Sequence, residues 1–222
     1  MSAPTAPRAA LPATLWLAHA ATAPAPDEVQ SAVAAFSPSE QARLARIARP
    51  ARRAQFIAGH LLLRALLQSL GVAAPVIEVA ADGRPLAQDA DGRGVGVSLA
   101  HSGGWVAALA GGDGVPGVDI ELSRDAPADP QWPAGRPPRP MAADELDRWV
   151  VAEAGAKSWP RHASCWVSRW ECVASGVRAG AAGVLHVAVA MSSIPPTVRL
   201  VNLRDASYNP RELVLAWRPA TY

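Results

Sequence analysis

The sequence predicts an α+β protein built from two similar lobes. The chain has 222 residues, half of them hydrophobic, which is enough for one large domain or two small ones with real cores. Amphipathic helical segments and short apolar strand segments both occur along it. The order of these segments repeats, because each half is expected to run strand, two helices and then about three strands. We therefore expect an N-terminal lobe over 1–114 and a C-terminal lobe over 115–222.

The first half is expected to open with a strand at Leu15–His19, whose leucines would share one apolar face. A short helix near Asp27–Ala35 follows. The run Ser37-Pro38-Ser39-Glu40 has the pattern of a helix start, with a capping serine, proline at the first position and glutamate at the third. Pro50 is expected to break this second helix.

The longest predicted helix covers 51–70, and Gly71 closes it. Its apolar side chains recur at helical spacing: Phe56, Ile57, Leu61, Leu63, Leu66, Leu67 and Leu70. Three short strands, separated by turns rich in Gly, Asp and Ser, are expected at Val76–Val79, Val95–Leu99 and Trp105–Ala110.

The second half repeats this order. A strand at Val118–Leu122 is followed by a proline-rich stretch over 127–140. Two helices are expected, at Ala142–Ala154 and Ala163–Ser175, and then strands at Leu185–Met191, Val198–Leu203 and Leu213–Trp217. Cys165 and Cys172 would lie two turns apart in the second helix, about 10 Å and too far for a disulfide, so we expect reduced core thiols.

Composition excludes two classes of partner. The net charge is +2, and no basic run is interleaved with aromatic residues, so nucleic-acid binding is not expected. No apolar run approaches the roughly 20 residues that span a bilayer. The apolar N-terminal stretch is broken by Pro12 and His19, and a strand explains it better than a signal peptide. We expect a cytoplasmic protein, with monomer as the default for two lobes in one chain.

Two carboxylates in the run Gly117-Val118-Asp119-Ile120-Glu121 are candidate metal ligands. Alternate side chains of a strand share a face, so Asp119 and Glu121 would point together while Val118 and Ile120 enter the core. Magnesium takes oxygen ligands and commonly bridges to substrate phosphates. The alternative is a solvated strand end.

A polar turn precedes these carboxylates. The run Ser98-Leu99-Ala100-His101-Ser102-Gly103-Gly104-Trp105 can present side-chain and backbone donors to a phosphate. A hairpin turn with a capping serine explains it equally simply, and the segment taken alone favours that alternative.

A third carboxylate, Glu171, lies among tryptophans and a cysteine in an apolar segment. An unpaired buried charge costs several kcal/mol, so Glu171 needs a cation. The partner is either an arginine of the same segment or a metal that Asp119 and Glu121 also bind.

Together these runs resemble the motifs of the broad-specificity 4'-phosphopantetheinyl transferases, the surfactin-synthetase-activating type. That family carries Gly-Lys/Arg-Pro, Ser-His-Ser-Gly-x-Trp, Gly-Ile/Val-Asp-x-Glu and Trp-x-x-Lys-Glu-x-x-x-Lys, in this order. The corresponding runs are Gly83-Arg84-Pro85, Ala100 to Trp105, Gly117 to Glu121, and a degraded form at Trp166 to Ser175. Upstream, Arg53 to Arg64 is similar to the family's Arg-x-x-Phe-x-x-Gly-Arg-x-Leu-Leu-Arg, and Glu145 also fits. The resemblance covers roughly residues 13 to 190.

The resemblance implies a pseudo-dimeric α+β fold with coenzyme A in the cleft between the lobes. It also implies that Asp119, Glu121 and Glu171 hold Mg²⁺ against the pyrophosphate, with Asp119 and Glu171 as the catalytic residues. A serine of an acyl- or peptidyl-carrier protein would attack the β-phosphate and release 3',5'-adenosine bisphosphate.

The resemblance further implies that Arg53, Arg84, His101 and Ser102 bind the phosphates or the nucleotide end of coenzyme A. The chemistry fits these residue types, because transfer at phosphorus needs positioning, charge neutralisation and a proton acceptor.

The chain departs from the motifs at several positions. In this alignment Trp170 and Ser175 stand at the two motif lysines, Ala100 replaces a serine and His60 replaces an arginine. A hydroxyl cannot supply an ammonium's charge, although Arg169 or Arg178 could compensate. The alternatives are therefore a non-catalytic relative that binds coenzyme A or a carrier domain, and an unrelated α+β binding module.

Overall fold

A computed structural model describes residues 11–20, 26–112, 114–123, 142–158, 164–171, 184–191, 196–201, 211–213 and 215–220. The fold is α+β, as expected. Its helices in these ranges are α1 Pro26–Ala34, α2 Pro38–Ala45, α3 Pro50–Ser69 and α4 Ala143–Lys157. Its strands are β1 Thr14–His19, β2 Val76–Val79, β3 Pro85–Gln88, β4 Gly94–Val95, β5 Val97–Ser102, β6 Trp105–Ala110, β7 Gly117–Ser123, β8 Ser164–Glu171, β9 Val184–Met191, β10 Thr197–Leu200, β11 Arg211–Leu213 and β12 Arg218–Pro219.

The strands form three sheets. Five strands lie in the order β11-β10-β1-β6-β5, four in the order β12-β8-β9-β7, and three in the order β2-β3-β4. Strand β1 is central to the first sheet, antiparallel to β6 and parallel to β10. In the second sheet β9 lies between β7 and β8 and is antiparallel to both.

The two larger sheets contain the same local strand order. In the first, β1 pairs with β6, which pairs with β5, and α3 lies between β1 and this pair in the chain. In the second, β7 pairs with β9, which pairs with β8, and α4 lies between β7 and that pair. Each unit is thus a three-stranded antiparallel sheet with one long helix inserted after its first strand.

An apolar core joins the two sheets across the proposed boundary at residue 114. The buried face of β1 and β6, including Leu17 and Leu109, packs in one cluster with Val118 and Ile120 of β7 and with Val187 of β9. Burial of these side chains removes apolar surface from water and holds the sheets face to face. The division into lobes remains a prediction, but any such lobes share this core.

The helix starts follow the sequence closely. Ser37 caps α2: its hydroxyl accepts the Glu40 N–H at 3.3 Å, while the Glu40 carboxylate accepts the Ser37 N–H at 2.7 Å. This is the reciprocal capping box that the sequence predicted. Helix α3 buries Leu63, Leu66 and Leu67 of the predicted apolar stripe against the first sheet.

The helix expected at Ala163–Ser175 is wrong, because residues Ser164–Glu171 form strand β8. Cys165 and Val167 pack under α4, while Trp166 packs against the core between the sheets. A strand covered on both faces reads as a continuous apolar run, and periodicity cannot separate such a run from a buried helix. The second half therefore contains one helix, α4, within the described residues.

Smaller differences concern strand limits. Strand β3 was not expected, and the predicted strand over 95–99 divides into β4 and β5. A single strand was expected at Leu213–Trp217, but β11 ends at Leu213 and β12 begins at Arg218. The proline-rich stretch over 127–140, with Cys172, Ser175 and Arg178, lies outside the described residues.

Within the described ranges, the longest helices do not combine the length and apolarity that crossing a bilayer requires.

Candidate functional site

The predicted pair of carboxylates lies on β7, on the face that α4 covers. Asp119 is opposite Ala188 of β9, and Glu121 is opposite His186. Val118 and Ile120 point the other way into the core, as alternation in a strand requires. Asp119 is only 8% exposed, so it is not the carboxylate of a solvated strand end.

The side chain that meets Asp119 is Lys157, from the last turn of α4. Its Nζ donates to Asp119 Oδ1 at 2.6 Å and to the Val118 carbonyl oxygen at 3.1 Å. Lys157 is the only lysine of the chain. Sequence reasoning did not single it out as a site residue.

Gly117 allows this contact. A methyl group at Gly117 would overlap the carbonyl oxygen of Ala154 and approach the backbone nitrogen of Ser158 to 2.9 Å. The backbone of α4 therefore lies directly on the first residue of β7. Glycine is the only residue that permits such an approach, and the approach sets Lys157 beside Asp119.

The electrostatics of the site leave negative charge in excess. Burial raises the pKa of Asp119, the Lys157 ammonium lowers it, and Glu121 and Glu153 raise it again, to about 6. Glu153 lies on α4, one helical turn before Lys157. The charges of Glu121 and Glu153 thus both act on Asp119 beside a single ammonium, and an added cation would stabilise this arrangement.

The order of residues on α4 fits the fourth motif better than β8 does. The run Trp149-Val150-Val151-Ala152-Glu153-Ala154-Gly155-Ala156-Lys157 has tryptophan four residues before a glutamate and lysine four residues after it. It departs from Trp-x-x-Lys-Glu-x-x-x-Lys only at Ala152. Residues four apart share a helix face, so Trp149, Glu153 and Lys157 lie in one row. The single lysine of the sequence is the signal on which this alternative alignment rests.

Glu171 lies far from this row. Asp119 is opposite Ala188, which is opposite Val167, and Glu171 is four residues further along β8. Two strand spacings and four residues of strand separate the Cα atoms of Asp119 and Glu171 by about 16 Å. The structure does not bring Glu171 to Asp119, and the third carboxylate near Asp119 is Glu153.

Ser102 joins the polar turn to the carboxylates. Its hydroxyl donates to Glu121 Oε2 at 2.5 Å and accepts the Leu122 N–H at 3.1 Å. The turn that follows has φ of 54° at Gly103 and 89° at Gly104. Positive φ at both central residues defines the tight hairpin turn that glycine favours. The predicted phosphate-binding run is thus a hairpin that also contacts the carboxylate strand.

The basic residues of the predicted site make different contacts. The guanidinium of Arg52 contacts the His101 ring, with 2.7 Å between Nη1 and Nδ1. Arg53 instead donates to the Leu44 carbonyl oxygen at 2.7 Å. Arg84 is exposed and pairs with Asp82 at 2.6 Å. Arg52, which the sequence did not single out, is therefore the arginine of α3 beside the His101-Ser102 turn.

A buried ionic network fixes α3. Glu40 of α2 is fully buried and accepts from His60 Nδ1 at 2.7 Å, and Arg64 also pairs with it. Burial opposes ionisation of Glu40, but the bonds from His60 and Ser37 and the charge of Arg64 hold its pKa below the usual value. His60, which stands where the family motif has arginine, thus helps hold the helix that carries Arg52.

A similar network fixes the other end of α4. Asp147 accepts from Arg169 Nη2 at 2.8 Å and from His186 Nδ1 at 2.7 Å, and Arg218 also pairs with it. Burial opposes ionisation of Asp147, but the bonds from Arg169 and His186 bring its pKa below the usual value. Arg169 is engaged here with Asp147, which lies about three turns of α4 before Lys157.

The donor chemistry of β7 fits Mg²⁺. Mg²⁺ is usually held by one or two carboxylates together with substrate phosphates and water, and Asp119 and Glu121 provide two. Within the described ranges no group of three His, Cys, Asp or Glu side chains is placed to hold a metal ion. No protein-family model matches the sequence, and no curated protein matches it significantly.

Proposed function

We propose that this protein transfers the 4'-phosphopantetheine group from coenzyme A to a serine of an acyl- or peptidyl-carrier protein, with Mg²⁺. The observation that carries the proposal is the contact between Lys157 and Asp119. It joins the Trp-x-x-x-Glu-x-x-x-Lys row of α4 to the Asp-x-Glu pair of β7, two motifs that are far apart in the sequence. A chance resemblance in sequence gives no reason for the two motifs to meet.

The strand order supports the accompanying fold proposal. The units β1-β6-β5 and β7-β9-β8 have the same pairing and the same inserted helix. Two such units side by side are what a pseudo-dimer of similar lobes requires. In this proposal coenzyme A lies between them, along the line that runs from Glu121 through Ser102 and His101 to Arg52.

Each residue has a role in this proposal. Asp119 and Glu121 would hold Mg²⁺, and Glu153, in place of Glu171, is the carboxylate that accepts a proton. Bound Mg²⁺ would neutralise charge on the pyrophosphate. His101 and Arg52 bind phosphate oxygens through directed N–H donors. The Lys157 ammonium adds positive charge where the transition state becomes more negative.

The transfer step balances without a further reactant. The carrier serine oxygen forms a bond to the β-phosphorus of coenzyme A, and the bond from that phosphorus to 3',5'-adenosine bisphosphate breaks. Glu153 accepts the proton that the serine hydroxyl loses, as a carboxylate general base on a fixed helix. In this assignment Glu153 takes the catalytic role that the resemblance implied for Glu171.

Ala152 favours a second candidate function. The motif has a lysine immediately before the glutamate, and Ala152 supplies no ammonium at that position, next to Glu153. This difference would suit a relative that binds coenzyme A or a carrier domain without transfer. The two candidates differ in one assay. Wild-type protein, coenzyme A, Mg²⁺ and an apo carrier protein should give a carrier heavier by about 340 Da, the mass of the group that the cofactor donates. Binding of coenzyme A without this mass gain would select the second candidate.

A further inference from the structure

We infer that Ser102 is a positioning residue that orients the carboxylate of Glu121 for cation binding. The inference rests on the proposed function, because it takes Glu121 as a ligand of the metal. Ser102 itself is only 4% exposed and lies at the end of β5.

The hydroxyl of Ser102 has a fixed direction. A serine hydroxyl has one proton to donate, and its oxygen can accept. The Leu122 N–H uses the oxygen as acceptor at 3.1 Å, and the proton is donated to Glu121 Oε2 at 2.5 Å. Two contacts to neighbouring residues of β7 thus define both the position of the hydroxyl and the oxygen of Glu121 that it holds.

This arrangement gives the two carboxylate oxygens of Glu121 different roles. With Oε2 held by Ser102, Oε1 remains the oxygen through which Glu121 meets a cation. A carboxylate held in one rotamer loses less side-chain entropy when it binds a metal, and supporting hydrogen bonds of this kind tune metal affinity about 10- to 100-fold.

Ser98 provides a matched comparison within the same strand. Its hydroxyl accepts the Val118 N–H at 3.1 Å, and it too is 4% exposed. Both serines therefore tie the edge of β5 to a backbone N–H of β7, four residues apart. Only Ser102 also contacts a carboxylate. A role in joining the two sheets would affect both serines equally, whereas a role in orienting Glu121 belongs to Ser102 alone.

The test is the affinity for Mn²⁺, used in place of Mg²⁺ and read from the electron paramagnetic resonance signal of the free ion. It is measured with and without coenzyme A and without any carrier protein, so that transfer is not part of the readout. We expect Ser102→Ala to raise the Mn²⁺ dissociation constant about tenfold. Ser98→Ala should change it less than about twofold, and Ser102→Thr, which keeps the hydroxyl, should restore most of the affinity.

Equal Mn²⁺ affinities of Ser102→Ala and Ser98→Ala would overturn the inference, and so would a wild-type protein that does not bind Mn²⁺. If Ser102→Ala does not fold, Ser102→Cys carries the same expectation, because a thiol is a weak donor of similar shape. If wild type binds Mn²⁺ and Ser102→Ala binds it about tenfold more weakly, yet wild type transfers nothing to a carrier, the proposed function is refuted and the inference stands.

Discussion

Lys157 Nζ lies 2.6 Å from Asp119 Oδ1, so the last turn of α4 is tied to the middle of β7 by a largely buried ion pair. The Asp119 side chain is 12% exposed and that of Lys157 is 28% exposed. The pair joins the helix that carries Glu153 to the strand that carries Glu121. The proposed function depends on this ion pair, because the pair holds Glu153 of α4 near the carboxylates of β7.

Removing the ammonium should destabilise the protein. Lys157→Ala leaves the Asp119 carboxylate buried without its counter-charge, and we expect a loss of about 2 kcal/mol in the free energy of unfolding near neutral pH. Urea denaturation measures it. Arg93→Ala, which breaks the exposed pair with Asp91, is the control and should cost less than about 0.5 kcal/mol. Equal losses for the two variants would show that the Lys157 contact contributes no more than a surface pair.

The raised pKa of Asp119 predicts a defined dependence of stability on pH. The folded protein holds the Asp119 proton with a pKa of about 6, against an ordinary value of 3.8. The folded state therefore binds this proton more tightly, and the resulting stability is full below about pH 4 and is lost as pH rises through about 6. Relative to Asp119→Asn, wild type should lose about 2.5 kcal/mol between pH 4 and pH 7.5. A difference between the two proteins that does not change with pH would contradict this.

Gly117 should not tolerate a side chain. Gly117→Ala places a methyl group into the backbone of α4 at Ala154, so we expect a loss of at least about 2 kcal/mol and displacement of Lys157 from Asp119. Gly94→Ala, in β4, meets nothing within 4 Å and is the matched control. Thermal unfolding of both variants makes the comparison. A Gly117→Ala protein as stable as Gly94→Ala would mean that α4 does not pack on β7 this closely.

The two candidate glutamates can be separated by charge removal. Glu153→Gln keeps shape but removes the proposed proton acceptor, and we expect transfer to fall at least about 100-fold. Glu171→Gln should change the rate less than about threefold, because Glu171 lies about 16 Å from Asp119 by strand register. Initial rates of carrier modification at saturating coenzyme A measure both. A large loss of rate in Glu171→Gln with a small one in Glu153→Gln would show that Glu171, and not Glu153, belongs to the site.

Ala152 offers a gain-of-function experiment. Ala152→Lys completes the fourth motif, and an added ammonium next to Glu153 should raise turnover about tenfold, or about 1.4 kcal/mol of barrier. Ser175→Lys, the substitution that the β8 alignment would favour, is the comparison and should leave turnover unchanged. If Ser175→Lys raises turnover and Ala152→Lys does not, then α4 does not carry the motif.

Local rules predicted much of the fold, and the largest error, at strand β8, has a physical cause. The capping box at Ser37, the apolar stripe of α3 and the limits of β6 all follow from patterns within one segment. Strand β8 has α4 on one face and the core between the sheets on the other. Apolar side chains therefore occur on both faces, and the sequence lacks the alternation of apolar and polar residues that would mark a strand. The partner of such a strand is decided by contacts distant in the chain.

The site was predicted in part for the same reason. Asp119 and Glu121 could be found because alternation along one strand places them together. The fourth motif was placed at Glu171, in a segment expected to be a helix, and Lys157 was not singled out as a site residue although it is the only lysine of the sequence. The contact of Ser102 with Glu121 and that of Arg52 with His101 join residues 19 and 49 positions apart, and no local pattern predicts them.

Intact-mass measurement of an apo carrier protein tests the central claim most directly. The carrier is incubated with coenzyme A and wild-type protein, with Mg²⁺ or with a chelator, and in parallel with Asp119→Asn. We predict a gain of about 340 Da only with wild type and Mg²⁺, because the group transferred is phosphopantetheine and the site needs both the carboxylate and the cation. An unmodified carrier under every condition, or an equal gain with Asp119→Asn in chelator, would contradict the account.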